Sequence, residues 1–408
     1  MQDKIVETSD GAMHVLLNEG RFTGLTLRSS YDNGATWVET HRFDDTGRFS
    51  TGHLDMQADG ETLTVSFQGD DGEIYYQALD YRADSQDWAA HADPSVAIEG
   101  IASGRVSLPN HLVAEDGTIF AVAIQSNIFA PRITLSSSDD GGATWSEDTT
   151  RFSDYEAASA RLVSTPEVTG VLVATDTNIS WLDGATGQFT EITDLGSYQV
   201  FASHYSVTVV GNDIYLANVT EEENPQVEFF VFDGDSQSWG ERISPEHTFA
   251  SEAYVQLSSN EDGHLYMTFD EIGTGLVRVL ESLDGGQTWA IETDIIVEPS
   301  VEPGFTRMVA PEYFSEDLVI FQMVLPREDS KLRGVSVVTI DVDDDGSAND
   351  VSRVEREDPG LRSTWFMDLL NARNTEEDTG KDAVLETKRW EDWEPGSGLA
   401  AMVDSFDL

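Results

Sequence analysis

The chain is 408 residues long, contains no cysteine, and carries 76 Asp and Glu against 23 Lys and Arg, a formal net charge of −53. Disulfide scaffolds and thiolate metal sites are thereby excluded, and a polyanionic nucleic acid or an anionic lipid surface would be repelled. With 39% apolar and 10% aromatic residues there is material for a core, so the charge belongs to a folded surface and not to a disordered chain.

The basic residues are 19 Arg and only 4 Lys (Lys4, Lys331, Lys381, Lys388). In dilute buffer so large a charge destabilises the compact state by self-repulsion. Molar salt shortens the Debye length to about 3 Å and removes most of that penalty. The composition is that expected of a salt-in halophile. No run of about 18 apolar residues occurs, so no membrane-spanning helix is expected. The opening MQDKIVETSDG lacks the basic, apolar, small-residue order of a secretion signal. The expectation is a chain used without export or already processed.

From the N-terminus onward the predicted elements recur. A first unit closes on Ser30-Tyr-Asp32-Asn-Gly34-Ala-Thr36-Trp37. A second reads as strands at 53–57, 61–67 and 72–79 with a turn at Asp59-Gly60, and ends in the weaker Asp84-Ser-Gln-Asp-Trp88. The third places a turn at Glu115-Asp-Gly117 and a strand at 118–123 before Ser138-Asp-Asp140-Gly-Gly142-Ala-Thr144-Trp145. The fourth closes at Asp183-Gly-Ala-Thr-Gly-Gln-Phe189, and the fifth turns at Gly211-Asn-Asp213 and closes at Asp235-Ser-Gln-Ser-Trp239. The sixth has strands at 253–257, 264–269 and 275–281 before Ser282-Leu-Asp284-Gly-Gly286-Gln-Thr288-Trp289. The closing aromatics fall at 37, 88, 145, 189, 239 and 289, and another step of that size lands on the acidic turn at 340–346. Four short strands with turns between them, repeated at this period, predict an all-β, seven-bladed β-propeller of four-stranded blades over 1–357. Residues 358–408 differ in composition. They hold Lys381, Lys388, Trp365, Trp390 and Trp393, and read as a C-terminal extension that docks on the propeller or on a protein partner.

The three complete copies of S-x-D-x-G-x-T-W resemble the Asp boxes of sialidases and related bacterial neuraminidase-repeat propellers. The resemblance covers roughly 350 residues. It implies that Asp32, Trp37, Asp140, Trp145, Asp284 and Trp289 are structural. The Asp accepts hydrogen bonds within its own turn, the Trp buries a large apolar face, and the turns lie on the face opposite the ligand. Halophilic charge with this repeat suggests a haloarchaeal or haloarchaeal-virus member. Sialidases carry three Arg for a substrate carboxylate, a Tyr–Glu nucleophile pair and an Asp acid/base. The early Arg-Ile-Pro that supplies the first Arg in the family is missing here.

Arg48, Arg105, Arg161 and Arg307 sit near the starts of first strands, where the resemblance places the axial ligand face. Guanidinium groups there could hold a carboxylate or sulfate. Glu252 and Tyr254 are the nearest imitation of the Glu–Tyr pair. The eight His show no metal-ligand spacing; His53, His111 and His204 fall at or near first strands, where they could line the channel, but core or surface histidines are the preferred reading. Asp341, Asp343 and Asp345 alternate as in a calcium loop, but the twelfth position is Ser352, so a divalent cation such as Ca2+ is the one cofactor candidate. Asn178-Ile-Ser180 and Asn218-Val-Thr220 match the N-glycosylation pattern. The leading expectation is a recognition module that binds a surface glycan or glycoprotein through its axial face, displayed on a virion spike or outside the cell in high salt. Its rivals are a diverged sialidase-like glycoside hydrolase and a scaffold propeller in a larger assembly.

Overall fold

The computed structural model describes the strands and turns between Ile5 and Arg356. It leaves aside segments 19–24, 33–36, 44–48, 100–108, 126–131, 152–156, 176–177, 185–188, 195–204, 220–225, 246–252, 272–275, 297–302, 315–317, 327–333 and 343–347, positions 9, 70, 83 and 261, and both termini. The fold is an all-β propeller of four-stranded blades. Seven sheets form among the described residues. In chain order they begin with Ile5–Glu7, Phe49–Asp59, Asn110–Val113, Ala157–Ser164, Tyr205–Val210, Ala253–Asn260 and Pro303–Val309, and are called blades 1 to 7 below. Neighbouring strands within a blade run antiparallel.

Blades 2 to 6 each have a neighbour on both faces, so their middle strands read as continuous apolar runs instead of alternating ones. In the blade 5 strand Asp213–Val219, Ile214 and Leu216 pack against blade 4, while Tyr215, Ala217 and Val219 pack against blade 6. The core is thus divided. Six separate apolar clusters fill the junctions between consecutive blades from 1 to 7. The outermost strands are more polar, as in Val38–Phe43 of blade 1.

A polar pin fixes the register between blades. One inner-strand side chain accepts the backbone N–H of the next blade's inner strand. Asp55 Oδ2 takes His111 N at 3.1 Å, Asn110 Oδ1 takes Leu162 N at 2.6 Å, and Ser206 Oγ takes Leu257 N at 3.0 Å. These pins align Asp55, Asn110, Arg161, Ser206 and Gln256 as equivalent positions of blades 2 to 6. His111, on a first strand and read as a core or surface histidine in preference to a channel-lining one, is fully buried, with its ring nitrogens against Ser66 Oγ at 2.9 Å and Thr64 Oγ1 at 2.8 Å. A ring that can satisfy both nitrogens on neighbouring strand hydroxyls is retained inside an interface.

The S-x-D-x-G-x-T-W turns join third to fourth strands, as expected. Asp284 accepts from Thr288 N at 2.8 Å, Thr288 Oγ1 at 2.6 Å and Ser282 Oγ at 2.9 Å, and Asp140 repeats the set with Thr144 and Ser138. These donors hold the Asp140 carboxyl down to about 2 and lower that of Asp284. In the first copy Ser30 Oγ donates to Asp32 Oδ1 at 3.0 Å and Trp37 is half-buried. Trp289 lies edge-on to Phe229 of the preceding blade at 5.1 Å, and Trp145 to Tyr76 at 5.4 Å. Gly286 has φ +84°, and a Cβ there would overlap the Phe229 ring. Gly286→Ala is therefore expected to cost about 2 kcal/mol, from left-handed backbone strain plus overpacking, read as a lower thermal midpoint.

Two features were not foreseen. Ser95–Ile98 adds a fifth strand to blade 2. Residues 310–314, between the first two main strands of blade 7, reach across several other blades. Tyr313–Phe314 pairs in parallel with Ser259 and Asn260 of blade 6. Glu312 O accepts from Ser259 N at 2.9 Å and from Thr208 Oγ1 of blade 5 at 3.1 Å. The first strand of blade 1 also lies against Tyr313–Phe314. One five-residue segment thus ties the last blade to earlier ones.

In blade 1, His14 is fully buried between Thr8 Oγ1 at 2.9 Å and Ser29 Oγ at 2.7 Å, edge-on to Trp88 at 4.8 Å. Burial pushes its pKa down to about 4, against an ordinary value of 6.5. The unfolded chain then takes up this proton before the folded one does. The stability His14 contributes is full above 6.5 and is lost as pH falls towards about 4. The thermal midpoint in molar salt is expected to fall through that window, and His14→Gln to flatten the fall relative to the native chain.

Candidate functional site

The pins allow the blades to be compared position by position. One step before the pin residue, the inner strands of blades 2, 3, 4 and 6 carry Leu54, Pro109, Ala160 and Val255. The second-strand residues at the same level are Phe67, Ala123, Val173 and Phe269. All are buried. Blade 5 breaks this apolar layer. Its inner strand has Tyr205, paired with Asn218 on the second strand, paired in turn with Glu228 on the third. Cross-strand partners project to the same side of a sheet. Asn218 lies two residues from Leu216, and Glu228 two from Phe230. Both of those apolar residues pack on blade 4, so the row faces the junction of blades 4 and 5.

The row continues at both ends. Towards the axis, Tyr205 Oη meets Ser159 Oγ of blade 4 at 2.8 Å, and both residues are buried. Burial drives the Tyr205 hydroxyl pKa up, while the Ser159 hydroxyl and the positive charge of nearby Arg161 pull it back. Arg161, 5% exposed, gives Nη2 to Glu312 Oε2 of the crossing segment at 2.7 Å. At the outer end, Glu228, 8% exposed in its side chain, accepts Arg242 Nη1 at 2.6 Å, and the Arg242 side chain is 59% exposed. Between them sits Asn218, 1% exposed, whose Oδ1 and Nδ2 both lack a hydrogen-bond partner among the described residues.

Chemically, the row offers an amide donor and acceptor, a carboxylate, a phenol, and two guanidinium groups already matched to carboxylates. An unpaired buried amide costs about 1–3 kcal/mol. The second strands of four sibling blades are apolar at this position, which makes Asn218 a candidate functional residue.

Of the residues singled out in the sequence as ligand-binding or metal candidates, only Arg161 is brought into this row. Arg307, Tyr254 and Asp341 lie in strands, opposite Met323, Asp270 and Asp350. Their side chains are outside the described residues, as are Arg48, Arg105, Glu252, Asp343, Asp345 and the extension 358–408. Among the described residues no cluster of three or more acidic or imidazole side chains could hold a metal ion, and no helix is long and apolar enough to cross a membrane. Asn218, one of the two matches to the glycosylation pattern, is buried. Sequence reasoning missed Tyr205, Asn218, Glu228 and Arg242. The signal was there: aligning the second strands of the units shows Asn218 where Phe67, Ala123, Val173 and Phe269 stand.

No family model matches the chain, and no curated protein does. Solved structures do. A polysaccharide lyase, Uly1, is similar with a TM-score of 0.54 at 11% identity, over 83% of this chain and 89% of that one. A prolyl endopeptidase gives 0.52 at 13% identity, over 87% of this chain and 49% of that one. A Trypanosoma rangeli sialidase gives 0.46 at 11%, over 85% and 69%. At such identities the likeness shows the propeller fold alone.

Proposed function

We propose that the chain is a carbohydrate-recognition propeller, its seven sheets closed into one ring, and that it reads sugar hydroxyls at the junction of blades 4 and 5. The observation that carries this reading is Asn218, a buried carboxamide with both polar atoms unpartnered, flanked by the Tyr205 phenol and the Glu228–Arg242 pair. A sugar hydroxyl donates and accepts at once and can satisfy both halves of such an amide. Polar groups left unpaired without the ligand are what make a site discriminate. The charge of −53 with four Lys supports work in molar salt, and display on a surface or a virion is the setting we propose for it. The test is a titration of free sugars in molar salt, followed by ligand-observed NMR, with Asn218→Val as the paired variant. Binding lost in the variant supports the reading. Binding unchanged in the variant, or none in the native chain, overturns it.

A further inference from the structure

We infer that residues 310–314 stopper the axial channel at the end that carries the S-x-D-x-G-x-T-W turns, so that the channel is a blind well through which no polymer threads. The inference stands independently of the glycan reading. The contacts of the segment place it on the axis. It pairs with the first strand of blade 6, takes the Thr208 hydroxyl of blade 5, meets Arg161 of blade 4 and lies against the first strand of blade 1. Blade 1 is not next in order to blades 4, 5 or 6. A five-residue stretch reaches the first strands of all four from the space those strands enclose.

Register fixes the end. Ser259 and Asn260, the parallel partners of Tyr313 and Phe314, close the first strand of blade 6, just before the turn at Asp262-Gly263. In an antiparallel meander the first and third turns lie at the same end, so the segment sits at the end of the Ser282–Trp289 turn. The Glu312 carboxylate reaches deeper, to Arg161 at the level of the pins. The segment is anchored on several sides. Pro311 O accepts Ser258 Oγ at 2.6 Å, Glu312 O accepts Ser259 N at 2.9 Å, and Phe314 is fully buried, edge-on to Tyr266 at 5.2 Å. Burial agrees with closure. Asp55, Asn110, Arg161, Ser206 and Gln256, polar first-strand residues of five blades, are each at most 5% exposed. Side chains of these types are mostly exposed where water reaches them. Tyr313, 52% exposed, marks the outer face of the stopper. What enters the well therefore comes from the opposite end, as a small molecule or the terminus of a chain and not as the interior of a threaded polymer.

The experiment uses the full chain in about 2 M salt, which screens the self-repulsion of its charge. Its first readout needs no substitution. The Ser259 N–H is donated to Glu312 O, across the space on the axial side of the strand. With the stopper in place its hydrogen exchange, read residue by residue, should be on the order of a hundredfold slower than that of an unstructured amide. The second readout exploits the absence of cysteine. Single thiols are introduced as Tyr313→Cys, on the outer face, and as Ser258→Cys, behind the segment, and each is titrated with a small neutral maleimide. Ser258→Cys should react at least about tenfold more slowly than Tyr313→Cys, because the reagent reaches it only when the segment opens. An unprotected Ser259 amide overturns the inference. So does a smaller gap between the two thiols, which would show that the channel is open at this end.

Discussion

Asn218→Val is expected to stabilise the protein by about 1 kcal/mol while abolishing sugar binding. The two effects have one cause. Asn218 is buried at 1% exposure with neither amide atom partnered among the described residues, so the folded state carries the cost of stripping water from a carboxamide. Valine occupies the equivalent place in blade 4, as Val173, inside an apolar cluster. It suits a strand flanked on both sides, and removes the orphaned donor and acceptor together. A residue with a merely structural role would not respond this way, because losing it would lower the thermal midpoint. Thermal unfolding and sugar titration on the same two preparations check the prediction. A destabilised variant would mean that Asn218 makes hydrogen bonds in the free protein.

Glu312→Ala is expected to cost about 3 kcal/mol, and the loss should be largely recovered in the double variant Arg161→Met with Glu312→Leu. Arg161 is 5% exposed and Glu312 31%. The asymmetry matters. Removing the more exposed partner leaves the guanidinium buried without its carboxylate, which is the expensive half of breaking an ion pair. Removing both charges removes the problem, and apolar side chains can fill the space. Glu312→Gln should fall between, since it can accept a hydrogen bond but offers no charge. Glu312 also belongs to the segment that crosses to blades 4, 5 and 6. Its loss should therefore show as a faster global unfolding rate and not as local fraying. Chemical unfolding in molar salt, with a double-variant cycle, measures it.

Both experiments concern residues whose importance lies in what faces them, and this divides what could be read from the chain. Repetition was legible because a blade's chemistry is local. The copies at Asp140 and Asp284 close their own hairpins through bonds spanning four residues, as in Asp284 to Thr288. Their glycine answers a backbone angle that one residue must adopt. Even the degraded copies kept the form: Gln86 and Gln237 both sit at positive φ, 52° and 51°, just before the outer strands that carry Trp88 and Trp239. Such signals need no knowledge of the rest of the molecule. The acidic surface was legible for a similar reason, since composition alone sets the net field.

The candidate site was not legible in that way. Arg161 was noticed for its position at a strand start, yet what it does depends on Glu312, 151 residues further on. Tyr205 and Ser159 are 46 apart in sequence and share a hydrogen bond. Asn218 looked like a glycosylation acceptor because the next residues are Val and Thr, and only the flanking blade shows it to be buried.

By itself, then, the sequence determined the repeating hairpins, the strand pattern of each unit and the strongly acidic charge, because these follow from interactions between residues a few positions apart or from bulk composition. Only the tertiary structure decided which polar residues meet at the blade junctions, which cations are already matched, and that a five-residue segment of blade 7 reaches blades 4, 5 and 6. Several of those outcomes depend on contacts closed over 46 to 151 residues, and no local pattern in the chain encodes the partner at the far end of such a loop.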